Sequence, residues 1–327
     1  MKDTPLDLLA AESGRSFPTL AAARERTRTG LAERRRRLSE LAHDQDAAVV
    51  LMGSWGRAEV TSGSDDDFML LVHGHPRFEV RPSIEDVASI LDRAPGGQGI
   101  FGSPVFSDQL IGKIGLEEDS NSNLSRRMLF LLESVHATNE GVYEDARHGL
   151  LVRYLDQSVK DLRPPRFLLN DVIRYWRTIC VDFAGKEHEG PDKWGLRNAK
   201  LRTYRKVLFA GGLLPVLSCV DYGRERMPAF LAAQFAMPPT DRIAEAFLNH
   251  GAVDAGARTL GAYDAVLALF DDPMWRSELD QTTREEARNS EAFREVSRLG
   301  DTLQQGLLAL LFETETLPEL VREYGIF

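Results

Sequence analysis

Cysteine is nearly absent from this chain. Cys180 lies inside a helix-compatible stretch and Cys219 at the end of another, so a disulfide framework or a cysteine zinc site has no support, and the usage points to a reducing, cytoplasmic setting. Long apolar runs are missing as well. No window approaches about eighteen consecutive apolar residues, and the opening MKDTPLDLLAAESGRSF lacks a basic segment followed by an apolar one, so neither a membrane partner nor a targeting segment is expected. Positive charge is not in excess: the formal net charge is −10. General coating of DNA needs many Lys and Arg contacts to phosphates and is excluded on that ground, although a local basic groove is not. No Gly-Lys-Ser/Thr follows a glycine loop, which excludes a P-loop, and Ser54 has no Gly-x-Ser-x-Gly context for nucleophilic hydrolysis.

What is present suits an ordinary globular protein. The 327 residues are 43% hydrophobic and 28% charged, enough for two domains with their own cores. Seven arginines fall between Arg24 and Arg37; such a run reads as a solvated helix face or as a contact for RNA or an acidic partner. Pro18 to His43 has the pattern of one long or once-broken helix with Gly30 as its weak point. Ala47 to Met52 and Phe68 to Val72 read as strands, Ile84 to Leu91 as a helix, Pro95 to Gly99 as a break, Ile100 to Phe106 as strand or loop, and Leu124 to Glu133 as a helix. Beyond about Tyr143 helix-period segments take over: Gly149 to Val159, Phe167 to Phe183, Leu196 to Leu214, Ala229 to Phe235, Arg242 to Phe247, Ala262 to Phe270 and Glu291 to Phe312. The expected class is therefore α+β, with a small mixed sheet and its helices over residues 1–142 and an all-helical domain over 143–327.

The stretch that carries chemistry runs from Val50 to Val72: a strand, the turn Gly53-Ser54, a polar segment, and a second strand entered through Asp65-Asp66-Asp67. Alternate residues of an extended segment share a face, so Asp65 and Asp67 project together about 7 Å apart. Two divalent ions roughly 3.5–4 Å apart on such a pair hold a triphosphate and activate an attacking hydroxyl. Magnesium suits these oxygen ligands. Gly53 permits close backbone approach, Ser54 and Ser64 offer groups to phosphate oxygens, and Arg57 is placed to neutralise charge on the leaving group.

Gly53-Ser54 followed, after ten residues, by Asp65-Asp66-Asp67-Phe68 resembles the signature of the polymerase β nucleotidyltransferase superfamily. GSWGRAEVTSGSDDDF is most similar to its bacterial, protein uridylyltransferase-like branch. The resemblance is specific over about residues 48 to 72 and looser to about 210, through Leu124-Ser-Arg-Arg-Met-Leu-Phe-Leu-Leu-Glu-Ser134 and Trp194-Gly-Leu-Arg-Asn198. It implies a small mixed sheet, Asp65 and Asp67 as catalytic metal ligands for Mg2+, and transfer of a nucleoside monophosphate from a nucleoside triphosphate to a hydroxyl acceptor. The acceptor is left open among protein, tRNA and small molecule. Asp66 stands where the superfamily has an apolar residue, and is expected to be solvated or capping. A third carboxylate from a later strand is commonly added there; Asp108 and Asp119 are the candidates, with Asp108 better suited to capping a helix.

Other features carry less. Asn170, Arg174 and Arg177 form one polar stripe at helix spacing and Lys193, Arg197 and Lys200 another; they either line a cleft facing the triphosphate or remain surface charge. Trp176, Trp194 and Tyr204 read as core. His73 and His75 lack a third metal ligand, and His43-Asp44 lacks the partners of a phosphohydrolase dyad. Two rival functions stay open: a synthase of a signalling nucleotide from triphosphates alone, and a non-catalytic module that senses nucleotide or binds a partner.

Overall fold

A computed structural model describes residues 3–92, 102–156, 159–189 and 193–326. The break expected at Pro95 to Gly99 lies outside the described residues. Ala47–Met52 forms strand β1 and Phe68–Val72 strand β2, both buried at every position, as suits continuous aliphatic runs covered on two faces. They pair antiparallel, Val50 opposite Met69 and Leu51 opposite Phe68. The short β3, Val105–Phe106, runs parallel to β2, and β4, Ser134–His136, antiparallel to β1, which gives a mixed sheet of order β3-β2-β1-β4. Three half-buried residues behind a leucine-rich helix are too short a pattern to read as a strand, and β4 is invisible in the sequence.

Helix α1, Pro5–Ser13, opens with a capping box between Thr4 and Asp7 and is absent from the helical segments expected above. Helix α2 spans Pro18–Leu38 without interruption. Its Gly30 is not a break: a Cβ there would lie 2.9 Å from Cη2 of Trp55, so the missing side chain makes room for the indole. The arginines of α2 are mostly clamps to other elements. Arg24 pairs with Asp241 at 3.0 Å, Arg26 with Asp271 at 2.9 Å, Arg37 with Asp92 at 2.9 Å, and Arg35 donates to the His136 carbonyl. Arg28 and Arg36 instead pair with exposed glutamates of the same helix.

The sheet is followed by α3 (Ile84–Ile90), α4 (Ser107–Gly112), α5 (Asn121–Leu132), α6 (Glu140–Tyr154), α7 (Arg166–Glu189), α8 (Trp194–Arg202), α9 (Tyr204–Leu217), α10 (Met227–Ala236), α11 (Pro239–Asn249), α12 (Val253–Asp271), α13 (Pro273–Gln281), α14 (Glu291–Glu313) and α15 (Leu317–Leu320). The α+β class thus holds, with a small mixed sheet near the N-terminus and helices after it. Several helices depart from the sequence pattern, α12 among them, which starts at Val253 instead of Ala262. The segment from Leu196 to Leu214 breaks at Thr203; α6 starts earlier, capped by Asn139; and α13, started by the Asp272 cap and Pro273, is additional. Among the described residues no helix is long and apolar enough to cross a membrane.

The largest core draws on both ends of the chain, joining Leu6, Leu20, Val50 and Leu71 to Leu132, Phe247, Tyr263 and Leu303. Buried carboxylates fasten the N-terminal helices: Asp241 accepts from the Leu6 amide at 3.1 Å and Asp264 from the Leu20 amide at 2.7 Å. The expected boundary at 142–143 falls in the first turn of α6.

Backbone contact sets the seat of the Gly53 turn against β4. A Cβ on Gly56 would lie 2.0 Å from the Glu133 carbonyl carbon and 2.3 Å from the Ser134 nitrogen, atoms that cannot swing aside. Gly56→Ala is therefore expected to lower unfolding stability by about 1–3 kcal/mol. Gly261→Ala on α12, where a Cβ meets nothing within 4 Å, should raise it by about 0.5–1 kcal/mol. Denaturant titration of both variants checks the contrast.

Candidate functional site

The site grows from the end of β1. Gly53 takes φ 65, a conformation open chiefly to glycine, and turns the chain so that Arg57 N donates to Gly53 O at 3.0 Å and Glu59 N to Ser54 O at 2.8 Å. Ser54 is half-buried in this turn. The polar loop that follows is closed by Ser64, whose Oγ accepts from the Thr61 amide at 2.9 Å. The Met52 amide then donates to the Asp67 carbonyl at 2.9 Å, which sets Asp67 directly across from the Gly53 turn.

Asp66 is more buried than its neighbours. It is neither solvated nor a cap, as the sequence suggests, but 1% exposed. Its two oxygens accept from Arg34 Nε and Nη2, each at 2.9 Å, and Oδ1 also accepts from Trp55 Nε1 at 3.0 Å. The Arg34 guanidinium lies 4.1 Å above the Trp55 ring. Asp66 is thus turned to α2, while both its neighbours share the field of Lys200. Asp65 is exposed and Asp67 half-buried; a Cβ on Gly53 would sit 3.4 Å from Asp67 Oδ2. Burial raises the Asp67 carboxyl above its ordinary pKa, Asp65 and Glu133 raise it further, and Arg205 and Lys200 work in the opposite sense.

Those influences identify groups that motif reading did not. Glu133, 1% exposed at the end of α5, accepts from Arg57 and, at 3.3 Å, from Arg205 Nη1. Arg57 also donates to Glu59 Oε2 at 2.9 Å, lies 5.2 Å over the Tyr204 ring, and is 8% exposed. Tyr263 of α12 donates to the same Glu59 oxygen at 2.8 Å. Arg57 is thus held in a buried ion-pair network that joins the Gly53 turn to α5, α9 and α12.

From the helical half come Lys200 on α8 and Arg205 on α9. Five residues apart on one continuous helix they would point about 140° away from each other. The break at Thr203, with φ −123 and ψ −84, lets both act on Asp67. Burial pushes the Lys200 ammonium down to about 8, with Arg276 and Arg205 adding to the effect and Asp65 opposing it. Of the two polar stripes, Lys200 is the member that reaches this site; Arg174 instead bonds Asn121 at 3.1 Å beside α5.

The two acids considered for a third carboxylate are engaged elsewhere. Asp108, in the first turn of α4, lies 2.7 Å from His75 Nδ1, and Asp119 holds Arg127 at 2.7 and 2.6 Å. After Asp65, Glu133 is the carboxylate whose charge acts on Asp67. Its signal was a single glutamate closing the apolar run Met128 to Leu132, since a buried carboxylate demands charged partners. Trp176 stacks on Phe209, Trp194 packs on Phe293, and Tyr204 lies against Tyr263 and Phe270, as core residues do.

Among the described residues no group of three or more His, Cys, Asp or Glu is arranged around a single metal position. Asp65 and Asp67 still fit magnesium by chemistry: both are oxygen donors, and the charge of Asp65 that disfavours ionised Asp67 is what a bound divalent ion would relieve. No family model, curated protein or solved structure matches the chain.

Lys200 provides a test of the site's electrostatics. Its folded pKa of about 8 lies below the roughly 10.4 of an unfolded lysine, so between these values the unfolded chain binds the extra proton. Stability must then rise with pH across that window, and below about pH 8 the charge is a burden. Lys200→Met should be more stable than the native chain at pH 7 without ligand, and the difference should shrink from pH 8 to 10. Paired denaturant titrations across that range measure it.

Proposed function

We propose that this chain is a magnesium-dependent nucleotidyltransferase that moves a nucleoside monophosphate from a nucleoside triphosphate to a hydroxyl acceptor and releases pyrophosphate. The observation that carries the reading is Asp67 Oδ2 set 3.4 Å from where a Gly53 Cβ would lie, under the charges of Asp65, Lys200 and Arg205, with Arg205 held on Glu133 at 3.3 Å. Acids alone suit a metal ion and cations alone suit an anion. Side by side they suit a metal-bound polyphosphate.

In this reading Asp65 and Asp67 hold Mg2+, which when bound neutralises phosphate charge and acidifies the attacking hydroxyl. Gly53 leaves room for a phosphate against the backbone, with Ser54 and Ser64 beside it. Lys200 and Arg205 receive the negative charge that builds on the β-phosphate as the bond from the α-phosphorus to the bridging oxygen breaks and the acceptor oxygen bonds to that phosphorus. Arg57 acts at one remove: committed to Glu59 and Glu133, it positions Glu133, which in turn holds Arg205. No covalent protein intermediate is required, since positioning and electrostatics suffice for in-line displacement. Both cysteines are free thiols, which agrees with the cytoplasmic setting included in the proposal. Protein, tRNA and small-molecule acceptors all supply the hydroxyl.

Asp67→Asn tests the assignment. Incubation with each α-phosphate-labelled triphosphate and a cell extract should show transfer, in a protein band, in tRNA or in a small product, lowered at least about a hundredfold in the variant. Its thermal midpoint without metal should equal or exceed the native one, because the ionised Asp67 is disfavoured by burial and by Asp65. Native-rate transfer by the variant under saturating magnesium and triphosphate sinks the reading.

A further inference from the structure

We propose that Arg276 reads the terminal phosphate of a nucleoside triphosphate at this site, and that Gly63 is glycine because a bare Cα lets the Arg276 guanidinium lie across the loop that leads to Asp65. The inference rests on the function proposed above and specifies the polyphosphate part of its substrate.

Arg276 stands on α13, one turn after the Asp272 cap, and is half-buried. The corner between α12 and α13 is fastened to the loop before the acids. The Ser62 amide donates to Asp271 Oδ1 at 2.7 Å, the Ser62 hydroxyl donates to the Asp271 carbonyl at 2.9 Å, and Arg26 of α2 closes on Asp271 at 2.9 Å. This clasp holds the start of α13 at a set distance from Asp65. A Cβ on Gly63 would fall 2.5 Å from Arg276 Nη1, 2.6 Å from Cζ and 2.9 Å from Nε. The guanidinium therefore occupies the space that any side chain at position 63 would fill.

Charge at this position is unbalanced. Among the described residues Arg276 makes no ion pair within 4.0 Å, while its field acts on Lys200, which also feels Arg205. Of the three cations, Arg205 is held by Glu133 at 3.3 Å and Lys200 feels Asp65, whereas Arg276 lies on the loop before Asp65 with no carboxylate of its own among the described residues. A nucleoside triphosphate whose α-phosphate is held over Asp65 and Asp67 extends its β- and γ-phosphates away from the acids, and the planar guanidinium fork suits the terminal oxygens better than a point charge would. On this proposal a diphosphate held in the same way lacks the phosphate that Arg276 reads.

Gly63→Ala separates this role from folding. The clash is with the far end of a long side chain, not with backbone, and Gly63 does not use the left-handed region, so the methyl displaces the guanidinium and leaves the fold in place. Calorimetry with the Mg2+ complexes of the four common nucleoside triphosphates and of their diphosphates reads the outcome. Arg276→Ala and Gly63→Ala should each weaken triphosphate binding by about tenfold or more, at an unchanged unfolding midpoint, with little effect on the diphosphate. Arg276→Lys should recover part of the loss. Native-like triphosphate binding by both variants, or equal losses for di- and triphosphate, overturns the assignment of Arg276 and leaves the proposed function standing. A native chain that binds no triphosphate overturns both.

Discussion

The clamp on Asp66 is the constraint from which the rest of the site follows. A carboxylate 1% exposed survives in the interior only when its charge is matched and its lone pairs are used, and the Arg34 fork with the Trp55 indole does both. A buried pair of this kind adds little net stability over apolar packing, yet losing one partner strands the other at a cost of about 3–5 kcal/mol. Its value here is positional. It holds Asp66 to α2 between two acids that share the field of Lys200, and Gly30 on α2 is bare so that Trp55 can lie in place.

A second buried network binds that geometry to the helical half. Arg57, Glu59, Glu133, Arg205 and Tyr263 come from the Gly53 turn, the end of α5, α9 and α12, so the acids and the cations facing them belong to one connected structure. The clasp of Ser62 by Asp271 repeats the arrangement on the other side of the acid box. The Arg57 network is buried and the clasp is exposed, and in each a partner comes from a distant part of the chain. Asp67 and Lys200 remain strained by burial and by like charges close by.

Local pattern reveals much of the scaffold. β1 and β2 are uninterrupted aliphatic runs whose ends match the strands, and α7 and α14 carry long helical periods. Gly53, Asp65 and Asp67 are legible because a strand, a glycine and two alternate acids are contiguous. Pattern fails where the cause lies far away in sequence. Thr203 interrupts a helical period that contains neither proline nor glycine at the break, and β4 exists because β1 offers it an edge. The arginines of α2 resemble a solvated face until Asp66, Asp241 and Asp271 are brought up against them.

By itself, the sequence determined the class of the fold, the two central strands and the glycine turn, because strand period and backbone freedom act over a few residues. Tertiary structure alone decided that Asp66 is buried, that the charge of Glu133, and not of Asp108 or Asp119, acts on Asp67, that Arg57 is committed to an ion-pair network, and that Lys200 and Arg205 also act on Asp67. The physical reason is that a charge's partners are set by distance in space, and these partners lie from tens of residues to more than two hundred residues away along the chain.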